Sequence, residues 1–135
     1  MSNKKDLILV VEDNKASSDL VAYLLRAAGH AVVTCTDGAE AIAIAGREHP
    51  RMVVMDLQLE RMNGLEAAAV LAADPQLSAI PRVAVTAYAM VADRDRVLKS
   101  GLFQGYLAKP IEPTTFAAQI EAFFVPESVR SQDGT

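Results

Sequence analysis

Four apolar runs along the chain each stop abruptly at a polar group. Residues Leu7–Val11 lead into Glu12 and Asp13, Met52–Met55 into Asp56, residues 83–85 into Thr86, and residues 106–108 into Lys109 and Pro110. Short, β-branched-rich runs of this kind read as parallel strands buried on both faces. Open α/β sheets bind ligands outside the carboxyl ends of their strands, so the polar stops mark where function is expected.

The segments between the runs carry helical spacing. Leu20, Leu24 and Ala28, beside Val21 and Leu25, form an apolar stripe that Gly29 can close as a left-handed cap. A second helix opens at Asp37 with Glu40 three residues on, a capping-box arrangement that turns Ile42 and Ala45 inward. A third begins near Gly64 and stops before Asp74 and Pro75, and a fourth ends at Ser100 and Gly101. The last has Pro113 placed for a first turn, followed by an inward stripe of Phe116, Ile120, Phe123 and Phe124. With a further apolar run at Ala31–Cys35, five strand–helix units fit, which predicts βαβ units and a parallel sheet covered by helices on both faces.

At 135 residues the chain is expected to be one domain, large enough to bury roughly two-thirds of its unfolded surface. A hydrophobic content of 51% is that of a globular soluble protein, and a formal net charge of −4 repels nucleic-acid backbones rather than collecting them. The apolar stretch after the N-terminal lysines is cut at Val11 by two carboxylates, too short for a signal peptide or a membrane span. A cytoplasmic protein with no membrane contact is expected. The single cysteine, Cys35, lies inside an apolar run and reads as a small buried hydrophobe.

Glu12, Asp13 and Asp56 in one crevice would repel one another unless a cation joined them, and a hard divalent ion such as Mg²⁺ suits such oxygen donors. A soft-metal site fails on ligand type, because Cys35 is internal to a strand and His30 and His49 lie far from the acids. Asp56 stands alone at its strand end, so a carboxylate nucleophile toward phosphorus is its most economical role. Lys109 then supplies a positive charge and Thr86 a hydroxyl donor for phosphoryl oxygens. Taken singly, each residue also fits a bland reading as a cap, a strand residue or a solvated charge.

In combination, Glu12-Asp13, Asp56 with Gly64 eight residues on, Thr86-Ala87 and Lys109-Pro110 resemble the receiver domain of bacterial two-component response regulators. The resemblance covers residues 7–124, and residues 83–90 and 105–111 look like the stand-alone receivers of cell-division and developmental phosphorelays. It implies a flavodoxin-like, doubly wound, five-stranded parallel sheet of order 2-1-3-4-5 with five helices. Residues 1–125 would form the receiver, and 126–135 a polar, flexible tail.

By the same resemblance, Asp56 would accept a phosphoryl group from a phosphohistidine on a sensor histidine kinase or a histidine phosphotransferase. Mg²⁺ would be held by Asp13 and Asp56 directly, by Glu12 mainly through water, and by the main-chain carbonyl of Gln58. Thr86 and Lys109 would contact the phosphoryl group, Tyr106 would occupy an aromatic switch position, and the bond from Lys109 to Pro110 would be cis. The protein would act as a phosphoacceptor rather than an enzyme with a separate substrate. With no second-domain linker visible, the signal is expected to leave for a downstream protein through the fourth helix, last strand and last helix. Gln58 and Tyr88, at the pocket mouth by motif, would set the lifetime of the acyl phosphate, with Tyr88 shielding it from water.

Two positions depart from the family pattern. Glu60, followed by Arg61, stands where a proline is usual, which puts the shape of that loop in question. Asn63 precedes Gly64 where many relatives have Asp, and Asn-Gly suits a turn needing positive φ. A haloacid-dehalogenase-type enzyme would want a second acid at Gln58. A flavodoxin-like nucleotide binder would want a glycine-rich loop where Glu12-Asp13-Asn14-Lys15 stands. A pseudo-receiver, acting unphosphorylated as a protein-interaction module, usually loses one of the site residues, and here all are present.

Overall fold

The apolar runs become strands and the amphipathic segments helices, in strict alternation. The computed structural model describes residues 7–59, 64–87 and 91–124. Among them lie β1 (Leu7–Val11), α1 (Lys15–Ala27), β2 (Ala31–Cys35), α2 (Gly38–Glu48), β3 (Met52–Met55), α3 (Gly64–Ala73), β4 (Arg82–Thr86), α4 (Val91–Lys99), β5 (Gly105–Ala108) and α5 (Phe116–Glu121). The strands form one parallel sheet of order β2-β1-β3-β4-β5, as the resemblance implies. Chain order reverses between β1 and β3, and Glu12 and Asp56 follow those two strands directly.

Side chains alternate across a strand, so the sheet divides the core in two. Leu9, Val11, Val53, Met55 and Ala84 pack on one face with Ala41, Ile44, Ala67, Leu71 and Val97 from α2, α3 and α4. On the opposite face Ile8, Val10, Met52, Val54, Val83 and Val85 pack with Val21 and Leu25 of α1 and with Phe116 and Ile120 of α5. Both faces are covered, which is why β1, β3 and β4 read as continuous apolar runs rather than alternating ones. No helix among the described residues is long and apolar enough to cross a membrane.

The helix boundaries follow local chemistry. Asn14 caps α1 by accepting the Ser17 N–H at 2.9 Å, and Gly29 follows the helix at φ 101°. Asp37 caps α2 by accepting the Glu40 N–H at 2.8 Å, and Glu40 reaches back to the Thr36 N–H at 3.2 Å, one residue earlier than a reciprocal box would place it. Gly101 follows α4 at φ 76°.

Three expectations are corrected. Pro113 does not open α5: the Thr115 and Phe116 N–H groups both bond the Glu112 carbonyl, forming a turn first, and the helix begins at Phe116. Phe123 and Phe124 lie beyond its end, although they still pack against the core. Leu20, on the predicted stripe of α1, is 38% exposed, and Ala22 takes the inward place beside Val21 and Leu25. Glu60, Arg61, Asn63, Tyr88 and the tail 126–135 lie outside the described residues.

Candidate functional site

The sheet brings four strand ends to one rim. The N–H of Asp56 donates to the Val11 carbonyl at 3.0 Å, and the N–H of Glu12 to the Cys35 carbonyl at 3.0 Å, so both acids are anchored by extensions of the strand ladders. Their side chains are almost wholly buried, Asp56 being 6% and Glu12 5% exposed. The Lys109 N–H donates to the Thr86 carbonyl at 2.9 Å, which holds the lysine backbone against the end of β4. The bond from Lys109 to Pro110 is cis.

Lys109 joins the acids. Its Nζ lies 2.6 Å from Glu12 Oε1 and 3.0 Å from Asp56 Oδ2. The second Asp56 oxygen, Oδ1, accepts the Gln58 N–H at 2.9 Å, and Glu12 Oε2 accepts the Asn14 N–H at 3.2 Å. Each acid is therefore oriented by a backbone donor and shares one ammonium with the other.

The charge balance is uneven. Burial raises the Glu12 carboxyl above its ordinary value, and the hydrogen bonds from Lys109 and Asn14 only partly offset it, while the Asp56 charge adds to the rise. Burial lowers Lys109, but the hydrogen bonds to Glu12 and Asp56 and their charges outweigh it, so the net shift is upward. The two directions agree physically: the ammonium has two anionic partners, whereas the glutamate has one cation and a like-charged neighbour.

Gly64 shapes the pocket from the far side. A Cβ there would lie 2.7 Å from the Asp56 carbonyl oxygen and 2.9 Å from Leu57 Cα, and the Gly64 N–H donates to the Leu57 carbonyl at 3.2 Å. Glycine is required there so that α3 can approach the acceptor loop closely.

Thr86 is fully buried at the last position of β4. Tyr106, beside Ala84 in the ladder, is half-buried against the core face covered by α2, α3 and α4. Gln58 is exposed. Asp13 is partly exposed, and among the described residues it makes no hydrogen bond or ion pair.

The donor chemistry suits a hard divalent cation. The Asp13 and Asp56 carboxylates and the Gln58 main-chain carbonyl are all oxygen donors, which fits the one or two carboxylates plus waters typical of Mg²⁺. Among the described residues no three His, Cys, Asp or Glu side chains gather closely enough to form a metal cage. Cys35 offers nothing here, since burial and the charges of Glu40 and Asp37 push its thiol up to about 12. His30 instead pairs with Glu121 at 2.7 Å, and His49 ends α2 in the left-handed conformation.

Two residues that hold this framework went unread in the sequence. Asn14 both caps α1 and donates to Glu12, and only its residue type before a helix signalled the cap. Arg82, 3% exposed at the start of β4, donates to the carbonyls of Leu102 at 2.6 Å, Ile80 at 3.0 Å and Ser78 at 3.2 Å.

Residues 8–121 match the family model described as the response regulator receiver domain. The polar-differentiation response regulator DivK of Brucella ovis is 35% identical over 116 residues, covering 86% of this chain and 94% of that protein. Its counterpart from Brucella anthropi is 34% identical over the same coverage. Among solved structures, the chemotaxis response regulator CheY4 of Vibrio cholerae superposes with a TM-score of 0.82 at 24% identity, covering 89% of this chain and 99% of that one. The receiver domain of the sensor histidine kinase PA1611 from Pseudomonas aeruginosa, whose structure has magnesium coordinated in the active-site cleft, gives 0.79 at 29% identity, covering 88% and 97%.

Proposed function

Because this chain belongs to the response regulator receiver domain family, we propose that Asp56 accepts a phosphoryl group from a phosphohistidine on a sensor histidine kinase or histidine phosphotransferase. The observation that carries this reading is the Asp56 carboxylate itself. It is buried at the end of β3, oriented by the Gln58 N–H and 3.0 Å from the Lys109 ammonium. In the transfer, an Asp56 oxygen attacks phosphorus as the bond from phosphorus to the donor imidazole nitrogen breaks. The electron pair stays on the imidazole, which takes a proton from solvent. Lys109, already at one Asp56 oxygen, can then follow the charge onto the transferred group.

Asp13, Asp56 and the Gln58 carbonyl would hold Mg²⁺, and the ion would neutralise the crowded negative charge between acceptor and phosphoryl oxygens. Thr86 supplies a hydroxyl at the end of the neighbouring strand, and its engagement with the phosphoryl group would favour one position of Tyr106. The face made by α4, β5 and α5 would carry that change to a downstream protein. A cytoplasmic location suits such exchange with kinases. Intact-mass measurement after treatment with acetyl phosphate and Mg²⁺ tests the acceptor. One phosphoryl adduct is expected on the parent and none on Asp56→Ala, and a full adduct on the variant would refute it.

A further inference from the structure

The two ends of α5 are held very differently. The helix spans only six residues, and Thr115 at its start makes no side-chain capping bond, so it contributes little hold of its own. Its carboxyl end is gripped from three strands. His30, just before β2, places Nε2 2.7 Å from Glu121 Oε2 and sets its ring edge-to-face against Phe124, with centroids 5.4 Å apart. Arg51, just before β3, lays its guanidinium carbon 3.8 Å from the centroid of the same Phe124 ring. Phe123 turns the other way and seats its ring over Gly105, the first residue of β5, where a Cβ would lie 2.6 Å from the ring.

We propose that this clasp of His30, Arg51, Glu121, Phe123 and Phe124 fixes the carboxyl end of α5 in both states of the site. The part of the α4, β5 and α5 face that changes is then its rim half, made by the amino ends of the two helices and the carboxyl end of β5. A downstream protein that tells the two states apart does so through that half. The proposal deepens, and rests on, the reading of Asp56 as phosphoacceptor.

Position and anchoring both support this division. Helices that follow parallel strands run back against them, so α4 and α5 begin at the rim that carries Asp56 and Thr86 and end near the strand starts. A strand length of four or five residues, roughly 13 to 17 Å, separates the two levels. The clasp partners are themselves tied to main chain: the His30 N–H donates to the Leu25 carbonyl at 3.1 Å and the Arg51 N–H to the Leu7 carbonyl at 2.8 Å. At the rim, by contrast, the connection from β5 to α5 begins at Lys109, whose ammonium sits on the carboxylates of Glu12 and Asp56. A partner shifts an equilibrium only through contacts that differ between its states, so contacts with the clasped end add affinity without discrimination.

Backbone NMR on the 135-residue chain, with and without beryllofluoride and Mg²⁺, tests the clasp. Three proteins are compared: the parent, Phe124→Leu, which keeps apolar volume but loses the ring, and Glu121→Ala, a change at an exposed position that serves should the first fail to fold. In the parent, shift changes at Phe116 and Ala117 should exceed those at Ala122 to Phe124 about threefold or more. Phe124→Leu should level that gradient and raise hydrogen exchange about tenfold at the Ala122 and Phe123 amides, which bond the Ala118 and Ile120 carbonyls, with Glu121→Ala smaller in the same direction. Parent shifts as large at the clasp as at the first turn of α5, or a gradient unchanged in the folded variants, would overturn the proposal. A parent that shows no response even at Thr86 would remove the acceptor reading and this proposal with it, an outcome distinct from a response that reaches the clasp.

Discussion

Arg82 and Lys109 stand at opposite ends of two neighbouring strands, the first buried and the second half-buried, and are held in different ways. Arg82, at the amino end of β4, gives its guanidinium hydrogens to three main-chain carbonyls, those of Leu102, Ser78 and Ile80. Lys109, just past the carboxyl end of β5, gives its ammonium hydrogens to two side-chain carboxylates. Carbonyl partners belong to the fold and cannot leave without unfolding it. Carboxylates can exchange their counterion, so a phosphoryl group or a divalent cation can alter the lysine's surroundings while the fold stays intact. The planar, multiply donating arginine suits the fixed role, and the single-headed lysine the exchangeable one.

The largest effect should come from the fixed cation. Arg82→Met leaves three buried carbonyls without their donor, a loss of about 3–5 kcal/mol in unfolding free energy. Urea unfolding in EDTA and in Mg²⁺ should show the same loss. Rescue by Mg²⁺ would place Arg82 with the exchangeable groups and break the comparison.

Lys109→Met should act in the opposite manner. Without its ammonium, Glu12 and Asp56 keep their negative charges in a buried pocket, and in EDTA the protein should lose about 1–2 kcal/mol. Mg²⁺ should restore most of this, since a ligand that binds only the folded state stabilises it by mass action. A deficit that persists at saturating Mg²⁺ would contradict the account of an exchangeable counterion.

The smallest effect lies in the pH dependence. The Glu12 carboxyl is raised chiefly by burial, so on acidification the folded protein binds this proton before the unfolded chain does. Its contribution to stability is therefore fully present below the ordinary glutamate value of 4.5 and is lost as pH rises through the raised value. Lys109 is also raised, so its contribution is present below 10.5 and is lost at more alkaline pH. The parent should gain stability relative to Glu12→Gln as pH falls toward 4.5, and lose its advantage over Lys109→Met in alkali. Parallel stability curves for parent and variants would show that neither group feels its surroundings as described.

What could be read from the sequence was local. Strands buried on both faces announce themselves as apolar runs, and Asp56, Thr86 and Lys109 stood out because each interrupts such a run. Gly29 and Gly101 marked helix ends because a left-handed residue is needed there. The start of α5 was misread because Pro113 suits a turn as well as a first helical residue, and the turn at Glu112 forms first. Arg82 was invisible for a different reason: a charged residue opening a strand looks solvated until three carbonyls converge on it. The pairing of Glu12 with Lys109 spans 97 positions and follows only once strand order is known. Gly64 was noted by its spacing from Asp56, yet its physical role, the close approach to the acceptor backbone, needed coordinates.

The contrast between the two cations can be measured directly by side-chain nitrogen NMR, following Lys109 Nζ and Arg82 Nε with and without Mg²⁺ and beryllofluoride, a phosphoryl mimic. Exchange of partners at the carboxyl edge predicts a large shift at Lys109, with accompanying backbone shifts at Thr86 and Tyr106, and an Arg82 signal that stays in place. An unchanged Lys109 signal on a protein that has bound beryllofluoride, or an Arg82 shift of equal size, would contradict it.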